Sequence, residues 1–116
     1  MGDEAVLVHK YFDKSDHAKH RQAEGRNVGT AGHDLNNARP SDVYIQNNDG
    51  RYVLKGNDGR VHIFEPDGEL VTTMNKVTNF SKRVSSGRYS PLSLKQISEF
   101  IEIFGEFLNK NWNGYR

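Results

Sequence analysis

The chain has 116 residues, 34% of them hydrophobic, and a formal net charge of +1, enough for one domain with a single modest core. It contains no Cys, which excludes a disulfide framework, a thiol nucleophile and a Cys-based zinc site. No apolar run reaches transmembrane length, and the N-terminus lacks the basic-then-apolar pattern of a signal peptide.

In chain order, Ala5 to Val8 with Tyr11 and Phe12 predict a short helix whose apolar side docks on a sheet. The polar stretch from Lys14 to Glu24 carries His17 and His20 one helical turn apart. Gly25, Gly29 and Gly32 break regularity, and Asp34 to Ala38 suit one helical turn before Pro40. Arg39 precedes a proline, which drives it toward an extended conformation and into a first strand.

The strongest local signal comes next. Asp49-Gly50, Asp58-Gly59 and Asp67-Gly68 recur every nine residues, each between short runs of strand formers. Both central residues of a type I′ turn need φ > 0, which Gly adopts freely and Asp tolerates. Strands are expected at Asp42–Asn47, Arg51–Lys55, Arg60–Glu65 and Glu69–Met74. Lys76 to Tyr89 reads as a basic loop with room for one irregular strand. Pro91 and Ser93 start a helix, with Gln96 completing a capping box. Leu94, Ile97, Phe100, Ile101, Phe104, Phe107 and Leu108 then form an apolar stripe at helical spacing. The expected fold is α+β in a single domain. Residues 1–40 are mainly helical, a four-stranded antiparallel meander covers about 42–75, a basic loop runs over 76–90, and a helix over 91–110 packs on the sheet.

Two-residue loops at the three Asp-Gly pairs would fix the register. Ile45 then faces Leu54, Leu54 faces Ile63, and Ile63 faces Thr72, on a core face shared with Tyr52, Val61, Leu70 and Met74. The opposite face carries Gln46, Val53, Phe64 and Val71 in one row and Tyr44, Lys55, His62 and Thr73 in another. Arg60 lies one strand step from His62. Directly opposed Cβ atoms sit about 4.5–5.5 Å apart, so a phenol, an amine, an imidazole and a hydroxyl would line up. One inserted residue, such as a longer loop over Gly56–Gly59, would move the strands beyond it to the other face.

That row holds no pair of carboxylates, which argues against glycosidase-type acid/base work. His17 and His20 lack the Glu and the spacing of a His-Glu-x-x-His zinc motif, so no metal and no cofactor is assigned. An imidazole among cations and hydroxyls suits a phosphodiester. His62 would act as general base on a ribose 2′-hydroxyl or as general acid to the leaving oxygen, with His17 or His20 as a second proton-transfer group. Lys55 and Arg60 would stabilise charge growing on the phosphate, and Thr73, Thr72 and Tyr44 would hold its oxygens. Lys76, Lys82, Arg83 and Arg88, with no acidic residue among them, suit further phosphate contacts along RNA.

The segment from Gly59 to Thr73, Gly-Arg-Val-His-Ile-Phe-Glu-Pro-Asp-Gly-Glu-Leu-Val-Thr-Thr, follows a polar stretch with His17-x-x-His20. It resembles C-terminal toxin domains of bacterial polymorphic and contact-dependent growth inhibition systems, in the group of small ribonucleases that includes barnase, EndoU, colicin and RelE types. The resemblance implies N-terminal helices on an antiparallel sheet and metal-independent cleavage of RNA, with tRNA the favoured substrate. It also implies a secreted effector delivered into the cytoplasm of a target cell, neutralised there by a cognate immunity protein, with room for a host translation factor as activator. His17 or His20 would match the helical basic residue near the centre, and Arg60, His62 and Thr72 or Thr73 the polar strand residues. The strand before Asn57 lacks the Asp-x-x-His-x-x-x-Glu array of ribosome-cutting colicins, which argues against the ribosome as target. Two other readings stand beside this one. The first is a non-enzymatic immunity or adaptor-type protein that uses the meander or the helix bearing Glu99, Glu102 and Glu106. The second is a non-cleaving RNA-binding module.

Overall fold

A computed structural model describes residues 29–116; the helix expected over Ala5–Phe12, His17 and His20 lie outside the described residues. Helix α1 spans Gly29–Asn37, longer than the single turn expected from Asp34. A 3-10 turn at Pro40–Asp42 then feeds strand β1, Val43–Gln46. Strands β2 (Arg51–Lys55), β3 (Val61–Phe64) and β4 (Leu70–Met74) complete the expected antiparallel meander. Helix α2 (Phe80–Ser85), strand β5 (Tyr89–Pro91) and helix α3 (Leu94–Phe104) follow.

The sheet has five strands in the order β4-β3-β2-β1-β5, all neighbours antiparallel. The α+β class is as expected; the fifth strand comes from the end of the segment read as loop. Asn47 explains how so short a strand is held. Its Nδ2 donates to the Gly87 carbonyl and to Ser90 Oγ, both at 2.7 Å, and its backbone N–H donates to the Arg88 carbonyl at 3.0 Å. Pro91 closes β5 at the sheet edge, where a missing N–H costs no ladder bond.

Each Asp-Gly pair turns the chain, but none does so as a bare two-residue loop. Around Asp49-Gly50, Gln46 pairs with Arg51, and the Gly50 N–H closes the loop on the Gln46 carbonyl at 2.8 Å. Around Asp58-Gly59 the two central residues do take the left-handed pair of angles, φ 56° and 79°. The Arg60 N–H returns to the Asn57 carbonyl at 3.0 Å, while the Gly56 N–H donates to the Arg60 carbonyl at 2.9 Å. One residue is therefore extra on the Gly56 side, and Leu54 faces His62 instead of Ile63. Around Asp67-Gly68, Phe64 pairs with Leu70, and a bulge then restores the expected facing of Ile63 with Thr72.

The extra residue flips β3, and β4 with it, relative to β1 and β2. Val61, Ile63 and Met74, expected on the face beneath α3, lie on the opposite side with Val53, Phe80 and Tyr89. Phe64 moves the other way and joins Val43, Tyr52, Leu54 and Leu70 against Leu35 of α1 and Ile97, Phe100 and Phe104 of α3. Leu70 and Val71 keep their expected sides because the bulge offsets the flip locally.

The capping box forms as expected: the Gln96 N–H donates to Ser93 Oγ at 3.2 Å and the Ser93 N–H to Gln96 Oε1 at 2.8 Å. Leu94 departs from the core stripe and is 74% exposed. The helix stops at Phe104 instead of running to residue 110, and 3-10 turns at Gly105–Phe107 and Lys110–Tyr115 replace its last part. Those turns carry Trp112 into the core, stacked on Phe100 with ring centroids 5.1 Å apart. Its indole N–H donates to the Ala38 carbonyl at 2.9 Å, tying the end of the chain to the end of α1.

Candidate functional site

The polar row expected across four strands is not assembled. Tyr44 and Lys55 lie on the α2 side of the sheet, whereas His62 and Thr73 lie on the side that faces α1 and α3. Two shifts cause this: the longer first turn offsets β1 by two residues, so Tyr44 faces Val53 and not Lys55, and Ile45 faces Tyr52 and not Leu54, while the extra residue at Gly56 reverses the side-chain alternation of everything beyond it.

His62 sits in a closed polar knot. It is 0% exposed, with Nδ1 2.8 Å from Thr73 Oγ1 and Nε2 2.7 Å from Asp34 Oδ2. Arg60 meets the same carboxylate as a fork, Nε to Oδ2 at 2.9 Å and Nη2 to Oδ1 at 2.8 Å. Burial alone would raise the Asp34 pKa; the hydrogen bonds from Arg60 and His62, together with their charges, outweigh it and hold the carboxyl well below the usual carboxylate range. The same Asp34 hydrogen bond raises the Arg60 guanidinium above its ordinary value. Both nitrogens of His62 are occupied and the ring meets no solvent, so this imidazole fastens α1 to β3 and β4 and does not touch a bound molecule.

Asp34 is the residue the sequence reading missed, because its partners lie 26 and 28 positions further on. Two signals pointed to it. It stands with Ala31, Leu35 and Ala38 on one helical face, where a carboxylate must find a partner. Gly56 is the other: a Cβ there would come within 2.7 Å of Asp34 Cγ, so only glycine admits the carboxylate.

The α2 side has a different character. Tyr44 packs edge-on against Phe80 with centroids 5.0 Å apart, and Lys55 Nζ lies 5.4 Å from the centre of the same ring. Thr72, opposite Ile63, shares this side and is half-buried. Arg83 donates from Nη1 to the Tyr89 hydroxyl at 2.8 Å and lies 5.7 Å over its ring. Lys55, Lys76, Lys82 and Arg88 are exposed. Among the described residues, the ion pairs involve Arg51, Arg60 and His62 and leave these four without a carboxylate.

Beside Lys55, between the C-terminal end of α1 and the β2–β3 turn, lies a cleft of about 180 Å³ lined by Asp34, Asn37, Arg39, Asp42, Lys55 and Asn57. Among the described residues, no group of three or more His, Asp or Glu is placed to hold a metal ion, and no helix is long and apolar enough to cross a membrane. Comparison with family models, with curated proteins and with solved structures gives no match.

Proposed function

We propose that this domain is an RNA-directed effector, a metal-independent ribonuclease toxin with tRNA as its favoured substrate and an immunity protein as its natural antagonist. One observation supports this reading above the rest: the charge is one-sided. Lys82 and Arg83 belong to the helix covering one side of the sheet, with Lys76 and Arg88 flanking it and Lys55 beside it, and no acidic residue falls between Lys76 and Arg88. The helix on the other side exposes Glu99 and Glu102. A basic side of this kind suits a phosphate chain.

In this reading Lys76, Lys82 and Arg88 track phosphates, while Lys55 and Tyr44 supply the groups that reach the scissile phosphate. Amine and phenol side chains can both exchange protons with a 2′-hydroxyl or a leaving oxygen. His62, Arg60 and Thr73 hold the scaffold behind them.

Induced expression in a bacterium, followed by a gel of total RNA, tests the proposal. Growth arrest with discrete tRNA fragments, and cleavage by the purified domain in EDTA, are expected. Lys55→Ala should abolish cleavage, and reversing Lys76, Lys82 and Arg88 to Glu should abolish RNA retention. Removing each contact should lower the salt slope of binding by about 0.7. Normal growth, intact RNA and no salt-dependent retention would overturn it in favour of the interaction-protein reading.

A further inference from the structure

We propose that Phe80 is a positioning residue, whose ring gathers the Lys55 ammonium and the Tyr44 phenol so that both reach one phosphate. This rests on the RNA-directed reading and names what organises the pair assigned there to the scissile phosphate.

The backbone does not set the two groups face to face. Tyr44 is opposed by Val53 and Lys55 by Val61, so Lys55 stands diagonal to Tyr44, two residues beyond Val53. Diagonal Cβ atoms of an antiparallel pair lie about 7–8 Å apart, within reach of long side chains but beyond direct opposition. Phe80, the first residue of α2, meets both. Its ring packs edge-on with Tyr44, centroids 5.0 Å apart at 69°, and Lys55 Nζ lies over it at 5.4 Å. The ring is itself anchored. Phe80 is buried and clusters with Val53, Val61 and Ile63. The buried Tyr89 ring backs it with centroids 5.4 Å apart, and Arg83 Nη1 donates to the Tyr89 hydroxyl at 2.8 Å.

An exposed lysine on a strand samples many rotamers, and among the described residues no carboxylate restrains this one. The negative face of an aromatic ring supplies the missing restraint by attracting the ammonium. A leucine would fill much of the same space without that attraction. One such contact at an exposed site biases the placement of the ammonium roughly two- to fivefold, and an edge-on aromatic pair biases the phenol by a similar factor. Together they raise the fraction of molecules with both groups poised by about tenfold. Reactive groups held in place before the substrate arrives raise the rate of the chemical step. Phe80 touches no substrate in this scheme and acts through Lys55 and Tyr44.

The test joins lysine side-chain NMR to tRNA cleavage by the purified protein in EDTA. With isotope-labelled lysine, the Lys55 ε-methylene protons, assigned through Lys55→Arg, should resonate upfield of the other lysines, because the Phe80 ring current shields them. Phe80→Leu should lose that shift and lower kcat about tenfold with KM little changed, since Lys76, Lys82 and Arg88 still hold the RNA. Phe80→Tyr should keep the shift and the activity. Val84→Ala, which thins the packing of α2 on the same apolar cluster, should also keep both and so separates placement from general loosening. Circular dichroism checks that each variant is folded; should Phe80→Leu not fold, the wild-type shift and Phe80→Tyr decide. Full activity in Phe80→Leu, or an equal loss in Val84→Ala, overturns the role of Phe80. If the wild type cuts RNA while Lys55 is unshifted, the positioning role fails alone. If Lys55 is shifted while the wild type leaves RNA intact, the ribonuclease reading fails and the role of Phe80 in it falls too.

Discussion

Replacing Asp34 with Ala removes the acceptor for three charge-assisted hydrogen bonds, at 2.9, 2.8 and 2.7 Å. His62 would be left fully buried with one nitrogen unpartnered, while Arg60, whose side chain is 23% exposed, recovers part of its loss from water. Truncating one member of a buried ionic pair costs about 3–5 kcal/mol, and the exposure of Arg60 places this case near the lower end, about 3 kcal/mol. For a domain of this size that corresponds to a fall in Tm of roughly 12 °C. Urea unfolding followed by far-UV circular dichroism should show a lower midpoint at unchanged slope. Acid adds a second readout. Because the folded-state pKa of Asp34 is depressed well below its ordinary 3.8, its contribution is full well above 3.8 and is lost progressively as the pH falls past that value toward the folded-state one. Wild type should therefore lose stability between about pH 5 and pH 2, and Asp34→Asn should lose less over the same window. An Asp34→Ala loss under about 1 kcal/mol, or identical acid profiles for wild type and Asp34→Asn, would refute the view that this knot seats α1.

Other substitutions probe other supports. Gly56→Ala forces a methyl into the Asp34 carboxylate and should cost about 1–3 kcal/mol by overpacking, with Arg60 and His62 resonances shifting together. Trp112→Ala empties a fully buried site beside Phe100 and should cost about 3–5 kcal/mol in thermal or urea unfolding; in the wild type this single Trp should fluoresce to the blue and move red on unfolding. Ser93→Ala removes the cap on α3 and should cost about 1 kcal/mol.

The elements were largely legible in the sequence, because turn chemistry and apolar spacing are local properties. Ser93 and Gln96 capped the last helix as their spacing required, and every Asp-Gly pair marked a reversal. The facing of side chains was not legible across the second turn. Asp58 and Gly59 adopt the angles their types favour, yet Gly56 stays in the loop because Asp34, far away in sequence, needs the space its missing Cβ leaves. A nonlocal contact thus set a parity that no local rule contains. His62 and Thr73 did come together, since both lie beyond the extra residue and move as a pair. Tyr44 and Lys55 lie before it, which is why the two halves of the expected row parted.

The hydrogen bonds from Asn109 and Trp112 to the carbonyls of Asn36 and Ala38 impose an order in time. During synthesis the meander can pair as soon as its own strands have left the ribosome, but the far end of α1 has no donors for its carbonyls until residues more than seventy positions later emerge. The wall of the cleft is completed only once Asn109 and Trp112 have been made. A chain stopped before Asn109 should keep a sheet yet hold α1 loosely, and proteolysis between Asn37 and Pro40 would reveal it.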